Sequence, residues 1–302
     1  MSLNESNKES FQKKDTMRSE KCPLCQSKSQ RVFPKYEIWL FDCDVCRHRF
    51  AVVEPNLNHV TEIYGDDYFN GGGTGYGDYL QEAELLRAAG VRYGKLVSRY
   101  AKPGTMLDIG AAAGFVLQGF QNAGWRGRGI EPNANMARFG REKLNLDIFN
   151  GSLENYQSAE QVELVTLIQV IAHFQNPLAA LEKVASLTKT GGFLLVETWR
   201  RDSLTAKIFG SNWHEYSPPS VLHWFTKEGL QDSVEKLGFK TTAAGKPAKW
   251  INAAHAKSLL KHKLEEMPAG RIFAKGLGII PDRLNLPYPA EDLFWILCQK
   301  IK

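Results

Sequence analysis

The sequence predicts an α/β protein with a doubly wound, mostly parallel sheet and a small separate element ahead of it. From residue 105 to 199, short apolar runs alternate with segments of helical periodicity. The first apolar run leads into a turn of small residues, "GAAAG", and then into a helix. Such an order places ligands at the carboxyl ends of the strands. Four cysteines in two CxxC pairs precede this region and predict the separate element.

Composition is typical of a soluble protein. A chain of 302 residues can bury one large core with a small appendage, and 43% hydrophobic with 24% charged residues is ordinary. Residues 1–20 have no apolar stretch and predict a disordered tail rather than a secretory signal. Without a signal or an apolar run of about 18 residues, we expect a cytoplasmic protein with no membrane span.

The net charge of +5 comes from the end of the chain. From Thr241 onward there are ten Lys and Arg against five Asp and Glu. A solvated basic face is favoured over a site for a polyanion.

The cysteines predict a zinc ribbon over residues 21–56. Each CxxC pair places two thiolates on a tight turn, and two such pairs supply the four soft ligands of tetrahedral zinc. The predicted ligands are Cys22, Cys25, Cys43 and Cys46. Disulfides are the alternative, but the absence of export signals argues against them. "RVFPKYEIWLFDC" suits the strand pair of the ribbon, and His48 is expected to be exposed rather than a fifth ligand.

Residues 57–302 are expected to form the α/β domain. Its predicted strands are "TMLDIG", "GRGIEP", "LDIFNG", "ELVTLIQV", "GGFLLVETW", "FKTTAAGK" and "LFWILCQKI". Its predicted helices are "LQEAELLRAAGVRYGKLVSRYA", "FVLQGFQNAG", "NANMARFGREKLN", "PLAALEKVASL" and "TKEGLQDSVEKLG". A helical insertion over about 252–283 precedes the last strand, in which Cys298 is expected to be buried.

The turn of small residues lacks the dinucleotide fingerprint. That fingerprint would need glycine at positions 110, 112 and 115, but Ala112 and Phe115 stand at the second and third. Small residues still let a ligand approach the backbone closely, and the following helix offers free N–H groups. Asp108 would repel a pyrophosphate and suits a ligand with ammonium and sulfonium charges, such as S-adenosylmethionine (SAM).

An acid also ends the second strand. Glu131 follows "GI", at the place where a carboxylate can accept both hydroxyl hydrogens of a ribose. The turn, the two acids and the alternating order together predict a SAM site. A doubly wound fold with another ligand is the alternative.

These motifs resemble class I SAM-dependent methyltransferases. The resemblance is carried by "LDIGAAAGFVL", "GIEPNANMA", "VELVTLIQVIAHFQNP" and "LTKTGGFLLVETW". With "CPLC…CDVC", "YGDDYF" and "PPSVLHWFTKEGLQDSVEKLGF" it extends to a bacterial subgroup with an N-terminal zinc ribbon. It implies a Rossmann-like seven-stranded sheet, SAM as cofactor and structural zinc. Ala112 and Ala172 depart from the pattern, where glycine and an acidic residue are usual.

The resemblance also implies which residues bind the cofactor. Those lining its methionine half and methyl group would be Asp108, Gly110, Ala112, Gly114 and Gln169. Glu131 would bind the ribose, with Pro132 or Asn133 beside it, and Ser152 and Leu153 would flank the adenine. The glycine- and tyrosine-rich loop from residue 64 to 79 would close over the cofactor or be merely structural.

Two histidines are candidate catalytic bases. His173 follows the fourth strand, and His223 lies in "SPPSVLHWF", on the side where substrates approach in this fold. Each could take a proton from the methyl acceptor, or could only orient and pack. The aromatic residues around His223 would stack a planar substrate or form the edge of a core; they are Trp213, His214, Tyr216 and Trp224.

The acceptor is not determined by these motifs, and three functions compete. We favour a small-molecule acceptor of sugar, lipid-linked or secondary-metabolite type. An RNA or protein methyltransferase that grips its polymer with the ribbon is the alternative, although the ribbon lacks a dense basic and aromatic stripe. A regulatory SAM-binding protein without catalysis is the third. The oligomeric state cannot be inferred from the sequence.

Overall fold

The computed structural model describes residues 20–54, 63–69, 79–252, 285–288 and 290–302. Its strands are β1 (Glu20–Lys21), β2 (Lys28–Lys35), β3 (Ile38–Cys43), β4 (Arg49–Ala51), β5 (Thr105–Ile109), β6 (Arg126–Glu131), β7 (Ile148–Asn150), β8 (Val162–Ile168), β9 (Thr188–Trp199), β10 (His223–Trp224), β11 (Phe239–Gly245), β12 (Lys249–Asn252), β13 (Asn285–Tyr288) and β14 (Leu293–Lys300). Its α-helices are α1 (Asp66–Phe69), α2 (Ala83–Val97), α3 (Phe115–Asn122), α4 (Ala134–Leu144), α5 (Pro177–Leu187), α6 (Leu204–Phe209) and α7 (Lys227–Glu235).

Seven of these strands form the central sheet, in the order β11-β14-β9-β8-β5-β6-β7. Strands β5 to β9 pair in parallel, and β14 runs antiparallel between β9 and β11. From β5 the chain moves outward through β6 and β7, then returns to β8 on the other side of β5. This reversal creates a crevice at the carboxyl ends of β5 and β8, which is where ligands bind in such sheets. The predicted Rossmann-like, seven-stranded fold is confirmed.

Helices α2 and α3 pack closely because glycines face each other. A Cβ atom at Gly90 would lie 2.1 Å from the carbonyl oxygen of Val116, and one at Gly119 would lie 2.2 Å from that of Arg87. Neither position has room for a side chain, so the two backbones are in contact. This contact fixes α2 beside the helix that follows the small-residue turn.

A second sheet contains the cysteine-rich segment, in the order β1-β2-β3-β4-β10. Strands β2 and β3 are the pair that the sequence predicts. The two residues of β10 were not predicted as a strand, and they come from the α/β part of the chain: His223 pairs with Phe50, and Trp224 with Arg49. One hydrophobic cluster includes Leu40 of the cysteine-rich segment and Val165 of the central sheet. The predicted division near residue 56 stays a prediction.

Residues 247–290 form a compact unit of their own. Within it, β12 and β13 pair antiparallel, from Lys249 opposite Tyr288 to Asn252 opposite Asn285. The predicted helical insertion, about 252–283, lies outside the described residues except for Asn252. In the described part of the chain, no helix is long and apolar enough to cross a membrane.

Candidate functional site

The small-residue turn joins β5 to α3 at the crevice. Gly110 and Gly114 have φ of +71° and +89°, and Ala112 has φ of +48° although it is not glycine. The N–H groups of Gly110 and Ala111 both donate to the carbonyl oxygen of Ile130, at 2.9 and 3.0 Å. The turn is thereby fixed against the end of β6. A Cβ atom at Gly110 would lie 2.5 Å from Cγ2 of Val170, so this glycine also has no room for a side chain.

Asp108 is the acid of β5. Its side chain is 3% exposed, and Oδ1 accepts a hydrogen bond from the Thr166 hydroxyl at 2.6 Å. Burial raises the pKa of Asp108 to about 7, and the Thr166 hydrogen bond opposes that rise. A cation beside this carboxyl group would stabilise its ionised form, because the attraction between the two charges would offset the hydration that the carboxylate loses on burial.

Glu131 ends β6 and is also 3% exposed. Its Oε2 accepts from the N–H of Ala112 at 2.8 Å, and its Oε1 accepts from the N–H of Asn133 at 2.8 Å. Burial raises the pKa of Glu131 to about 7, the two backbone hydrogen bonds oppose that rise, and the charge of Asp108 adds to it. Each carboxylate oxygen has a further lone pair, so Glu131 could also accept hydrogen bonds from both hydroxyls of a ribose.

Part of the loop predicted to close over the cofactor is described. Tyr64 donates through its hydroxyl to the carbonyl oxygen of Ser220 at 2.6 Å, and its own carbonyl accepts from Nδ2 of Asn133 at 3.0 Å. Phe69 and Tyr79 pack with Ala112, Ala113, Phe115 and Met136. Residues 70–78 lie outside the described residues, so closure over the cofactor stays a prediction.

The remaining predicted cofactor residues lie at the same sheet edge. Pro132 is half-buried directly after β6. After β7, Ser152 is half-buried and Leu153 is 2% exposed. Gln169 follows β8 with φ of +60°, and its Nε2 donates to Oε1 of Glu197 at 2.5 Å. The structure thus brings the predicted residues together at one edge, and their binding roles stay predictions.

Glu197 was not predicted as a site residue. It lies on β9 with 2% exposure, and its second carboxylate oxygen accepts from the hydroxyl of Tyr93 on α2. Its backbone carbonyl accepts from the N–H of Gln169 at 2.9 Å. Gln169 is therefore fixed at both its backbone and its side chain. The signal in the sequence was a lone acid inside the apolar run "GGFLLVETW", since a buried carboxylate needs donors.

The two candidate bases have different surroundings. His173 is half-buried, and its Nδ1 lies 2.8 Å from the carbonyl oxygen of Ser220. His223 is 2% exposed, and its Nε2 donates to the carbonyl oxygen of Phe174 at 2.7 Å. Burial lowers the pKa of His223 to about 3. The base role of either histidine stays a prediction, and the geometry of His223 favours the orienting alternative.

Three of the surrounding aromatic residues are buried. Trp213, Tyr216 and Trp224 are 0%, 1% and 0% exposed, and each of their rings meets the next edge-on at 5.0 Å. They form the edge of a core, which is one of the two predicted alternatives. His214 is exposed and pairs with Glu215.

The four predicted metal ligands form one cluster. Their sulfur atoms all lie within 4.8 Å of one another, and three of the pairs are separated by 3.4–3.5 Å. Tetrahedral zinc with bonds of about 2.3 Å separates its sulfur ligands by about 3.8 Å. Sγ of Cys43 accepts from the N–H groups of Val45 and Cys46, both at 3.4 Å, which stabilises a thiolate. None of the five cysteines, all of which the structure describes, forms a disulfide, and the donor set fits a closed structural zinc site.

His48 corrects one expectation, since it is 1% exposed rather than exposed. Its ring stacks on those of Phe225 and His223, with centroids 4.9 and 5.1 Å away, and Nδ1 lies 3.6 Å from Sγ of Cys22. The error arose because β10, which covers this face, could not be recognised from the sequence. Cys298 is buried as predicted, with 0% exposure.

A family model described as a methyltransferase domain matches residues 79–244, more than half of the chain. The chain belongs to this methyltransferase family. The match begins before α2 and ends within β11, so it contains every predicted cofactor residue.

Curated relatives share part of this region. The chain is 29% identical over 138 residues to a ubiquinone biosynthesis O-methyltransferase of Rhodopseudomonas palustris (strain BisB18), covering 43% of this chain and 54% of the relative. It is 31% identical over 129 residues to the protein of the same name from strain TIE-1, covering 40% and 48%. The chain thus spans about half the length of the curated relatives it matches.

Solved structures with low sequence identity share the fold. One belongs to a Haloferax volcanii complex of the Trm112 methyltransferase activator with a methyltransferase, at TM-score 0.52 and 13% identity, covering 74% of this chain and 92% of that one. Another is a Bacillus halodurans C-125 protein described as a methyltransferase, at TM-score 0.51 and 14% identity, covering 70% and 99%. At these identities the likeness supports the class I methyltransferase fold.

Proposed function

We propose that the protein transfers a methyl group from SAM to a small-molecule acceptor. The observation that carries the proposal is the pair of buried carboxylates, Asp108 and Glu131, at the ends of adjacent strands around the small-residue turn. An acid beside the turn suits a cationic cofactor, and an acid at the end of the next strand suits ribose hydroxyls. Membership of a methyltransferase family supports the same conclusion.

The chain contributes mainly positioning to this reaction. SAM, when bound, supplies a sulfonium-activated methyl group, which transfers by in-line displacement. Asp108 would hold the positive end of the cofactor, and Glu131 would hold its ribose. Gln169, fixed to Glu197, would border the path of the acceptor. His173 is half-buried beside Tyr64 and would orient the acceptor or take its proton.

Two observations favour a small acceptor. The curated relatives are named for O-methylation in ubiquinone biosynthesis, in which the acceptor is a small molecule. The cysteine-rich sheet is completed by β10 of the α/β part, which weighs against a ribbon that is free to grip RNA or protein. A sugar, lipid-linked or secondary-metabolite acceptor is the narrower proposal.

Two measurements test this function. Calorimetry with SAM and with its demethylated product should show one site per chain and no heat with NADH. Tight NADH binding without a response to SAM would overturn the proposal. Transfer of a radioactive methyl group should then proceed to members of a panel of sugars, lipid-linked acceptors and secondary metabolites but not to total RNA. Transfer to RNA, with affinity falling steeply as salt rises, would instead establish the polymer alternative.

A further inference from the structure

The loop from Gln169 to Phe174 connects the candidate cofactor site to the cysteine-rich sheet. Leu222, directly before β10, lies between the two. Its N–H donates to the carbonyl oxygen of Ala172 at 2.8 Å, and its own carbonyl accepts from the N–H of Ala51 in β4 at 2.8 Å. A single residue therefore joins the backbone of β4 to the loop that follows β8.

A side-chain connection runs beside this backbone connection. His48 contacts the thiol of Cys22 at 3.6 Å and stacks on His223 with ring centroids 5.1 Å apart. His223 in turn donates to the carbonyl oxygen of Phe174 at 2.7 Å. Both histidines are almost completely buried, so water does not compete with these contacts.

The other end of the loop touches the cofactor turn. Val170 fills the space in which a side chain at Gly110 would lie, at 2.5 Å from the position of its Cβ atom. Gln169 is bound to Glu197 on the neighbouring strand. Displacing the loop would therefore open the turn that faces the methionine half of the cofactor.

Hydrogen bonds from arginine side chains attach the cysteine-rich sheet to the α/β part. Arg201 donates to the carbonyl oxygen of Arg47 at 2.5 Å and to Oδ2 of Asp42 at 2.8 Å. Arg49, which is held within the sheet by a two-pronged hydrogen bond to Asp42 at 2.6 and 2.7 Å, donates to the hydroxyl of Tyr216 in the α/β part at 2.6 Å. Two arginines thus connect the sheet to the α/β part, and hydrogen bonds from such charged groups are stronger than those between neutral groups. The sheet is thus attached along its side, and its orientation relative to the loop is set.

We propose that the cysteine-rich sheet is a positioning element of the methyl-transfer site. Its intact thiol cluster holds His48 and β4 in place, and these hold Leu222, His223 and the loop from Gln169 to Phe174 against the Gly110 turn. Loss of the metal or of the His48–His223 stack loosens the loop and weakens cofactor binding. The binding part rests on the proposed function, whereas the loosening of the loop does not.

Hydrogen exchange on the full, zinc-loaded chain tests the loop directly. The N–H groups of Gln169 and His173 are bonded to Glu197 and Val170, so both exchange slowly while the loop is in place. In His48→Ala and in His223→Ala, exchange in the peptide covering residues 169–174 should accelerate by about three- to tenfold. The double variant should show less than the product of the two effects, because both substitutions break one connection.

Two further variants separate positioning from other causes. His223→Gln keeps a side-chain N–H for the Phe174 carbonyl and cannot serve as an imidazole base, so it should restore slow exchange and cofactor affinity. Tyr36→Asn is the matched control on the same sheet. Tyr36 is 64% exposed in a turn with φ of +47°, a conformation that asparagine tolerates. Hydrogen exchange at residues 169–174 in this variant should equal that in the parent chain.

The demethylated cofactor gives the second readout. Its dissociation constant should rise about three- to tenfold in His48→Ala and in His223→Ala, and should stay near the parent value in His223→Gln. If His223→Ala does not fold, His48→Ala and chelator treatment supply the same comparison. Unchanged exchange at residues 169–174 in His48→Ala and after metal removal would overturn the proposal. A parent chain that ignores the cofactor but shows accelerated exchange in these variants would overturn the proposed function and leave the positioning intact.

Discussion

The thiol cluster and the carboxylate pair each bring ionisable side chains together beside a tight turn. They differ in what we expect to happen when no ligand is bound. The four thiols lie within 4.8 Å of one another in a small sheet, where four thiolates would repel each other without a cation. Asp108 and Glu131 lie at the carboxyl ends of β5 and β6 in the large sheet, and burial raises both pKa values to about 7. The carboxylates can therefore take up protons when no ligand is bound. We therefore expect the metal to decide whether the small sheet folds, whereas the cofactor would change only the charge state of the carboxylates in the large sheet.

The largest expected effect breaks the thiol cluster. Cys43→Ser removes one of four ligands, and structural zinc contributes about 10–16 kcal/mol to the folding of small metal domains. We expect zinc content to fall from about one ion per chain to near zero, with faster hydrogen exchange over residues 20–51. Elemental analysis and exchange mass spectrometry measure both. Cys298→Ala is the control, since that thiol is buried in β14 and should leave the zinc in place. A metal-free parent chain with intact disulfides would contradict the zinc prediction.

The second effect concerns the carboxylate pair. Glu131→Ala should weaken binding of the demethylated cofactor by about 1–3 kcal/mol, because it would remove the proposed charged hydrogen bonds to the ribose and takes away the acceptor of the Ala112 and Asn133 N–H groups. This corresponds to about a 5- to 150-fold rise in the dissociation constant by calorimetry. Glu142→Ala, an exposed position on α4, is the control and should bind as the parent does. Equal affinities in all three proteins would remove Glu131 from the site.

The third effect is the pH dependence of cofactor binding at the carboxylate pair. Both carboxyl pKa values are raised to about 7 in the folded protein, from ordinary values of 3.8 and 4.5. A cationic cofactor needs the ionised form, so its affinity should fall as pH decreases, by about tenfold per carboxylate between pH 8 and pH 6. Without ligand the sign reverses for stability: the contribution of these groups is complete below about pH 4 and is lost as pH rises through about 7.

Calorimetry at both pH values and melting curves across the range measure this dependence. Glu131→Gln cannot titrate at that position and should flatten the affinity profile by about half on a logarithmic scale. An affinity that is the same at pH 6 and pH 8 would show that neither carboxylate titrates on binding.

The smallest effect sharpens the role of Asp108. Thr166→Val removes the hydroxyl that donates to Oδ1 and keeps the side-chain volume. The pKa of Asp108 should rise further, and cofactor affinity at pH 7 should fall by about two- to fivefold. Thr166→Ser keeps the hydroxyl and should bind as the parent does. If Thr166→Val binds as tightly as Thr166→Ser, the hydrogen bond does not set the charge of Asp108.

Local signals made part of this structure predictable. The thiol spacing of Cys22 to Cys46, the turn after Asp108 and the acid at Glu131 each lie within a short stretch, where residue type and spacing indicate the structure directly. The sequence pattern predicted all seven strands of the central sheet, but not the order in which the structure arranges them.

Contacts between distant residues were not predictable in this way. The pair of Thr166 and Asp108 is separated by 58 residues, and that of Tyr93 and Glu197 by 104. Strand β10 has only two residues, too few for any periodicity to appear. Because β10 was missed, His48 was expected to face solvent. For the same reason, the sequence did not decide whether the aromatic residues near His223 contact the substrate or form the edge of a core.

Strand β10 also has a consequence for the order in which the chain is made. About 170 residues separate Ala51 of β4 from His223, which completes the same sheet. A ribosome adding roughly 5–20 residues per second needs on the order of 10–35 s for that interval. During this time the four thiols leave the exit tunnel before the strand that covers His48 exists. Early metal capture would protect these thiols from oxidation while the remainder of the chain is synthesised.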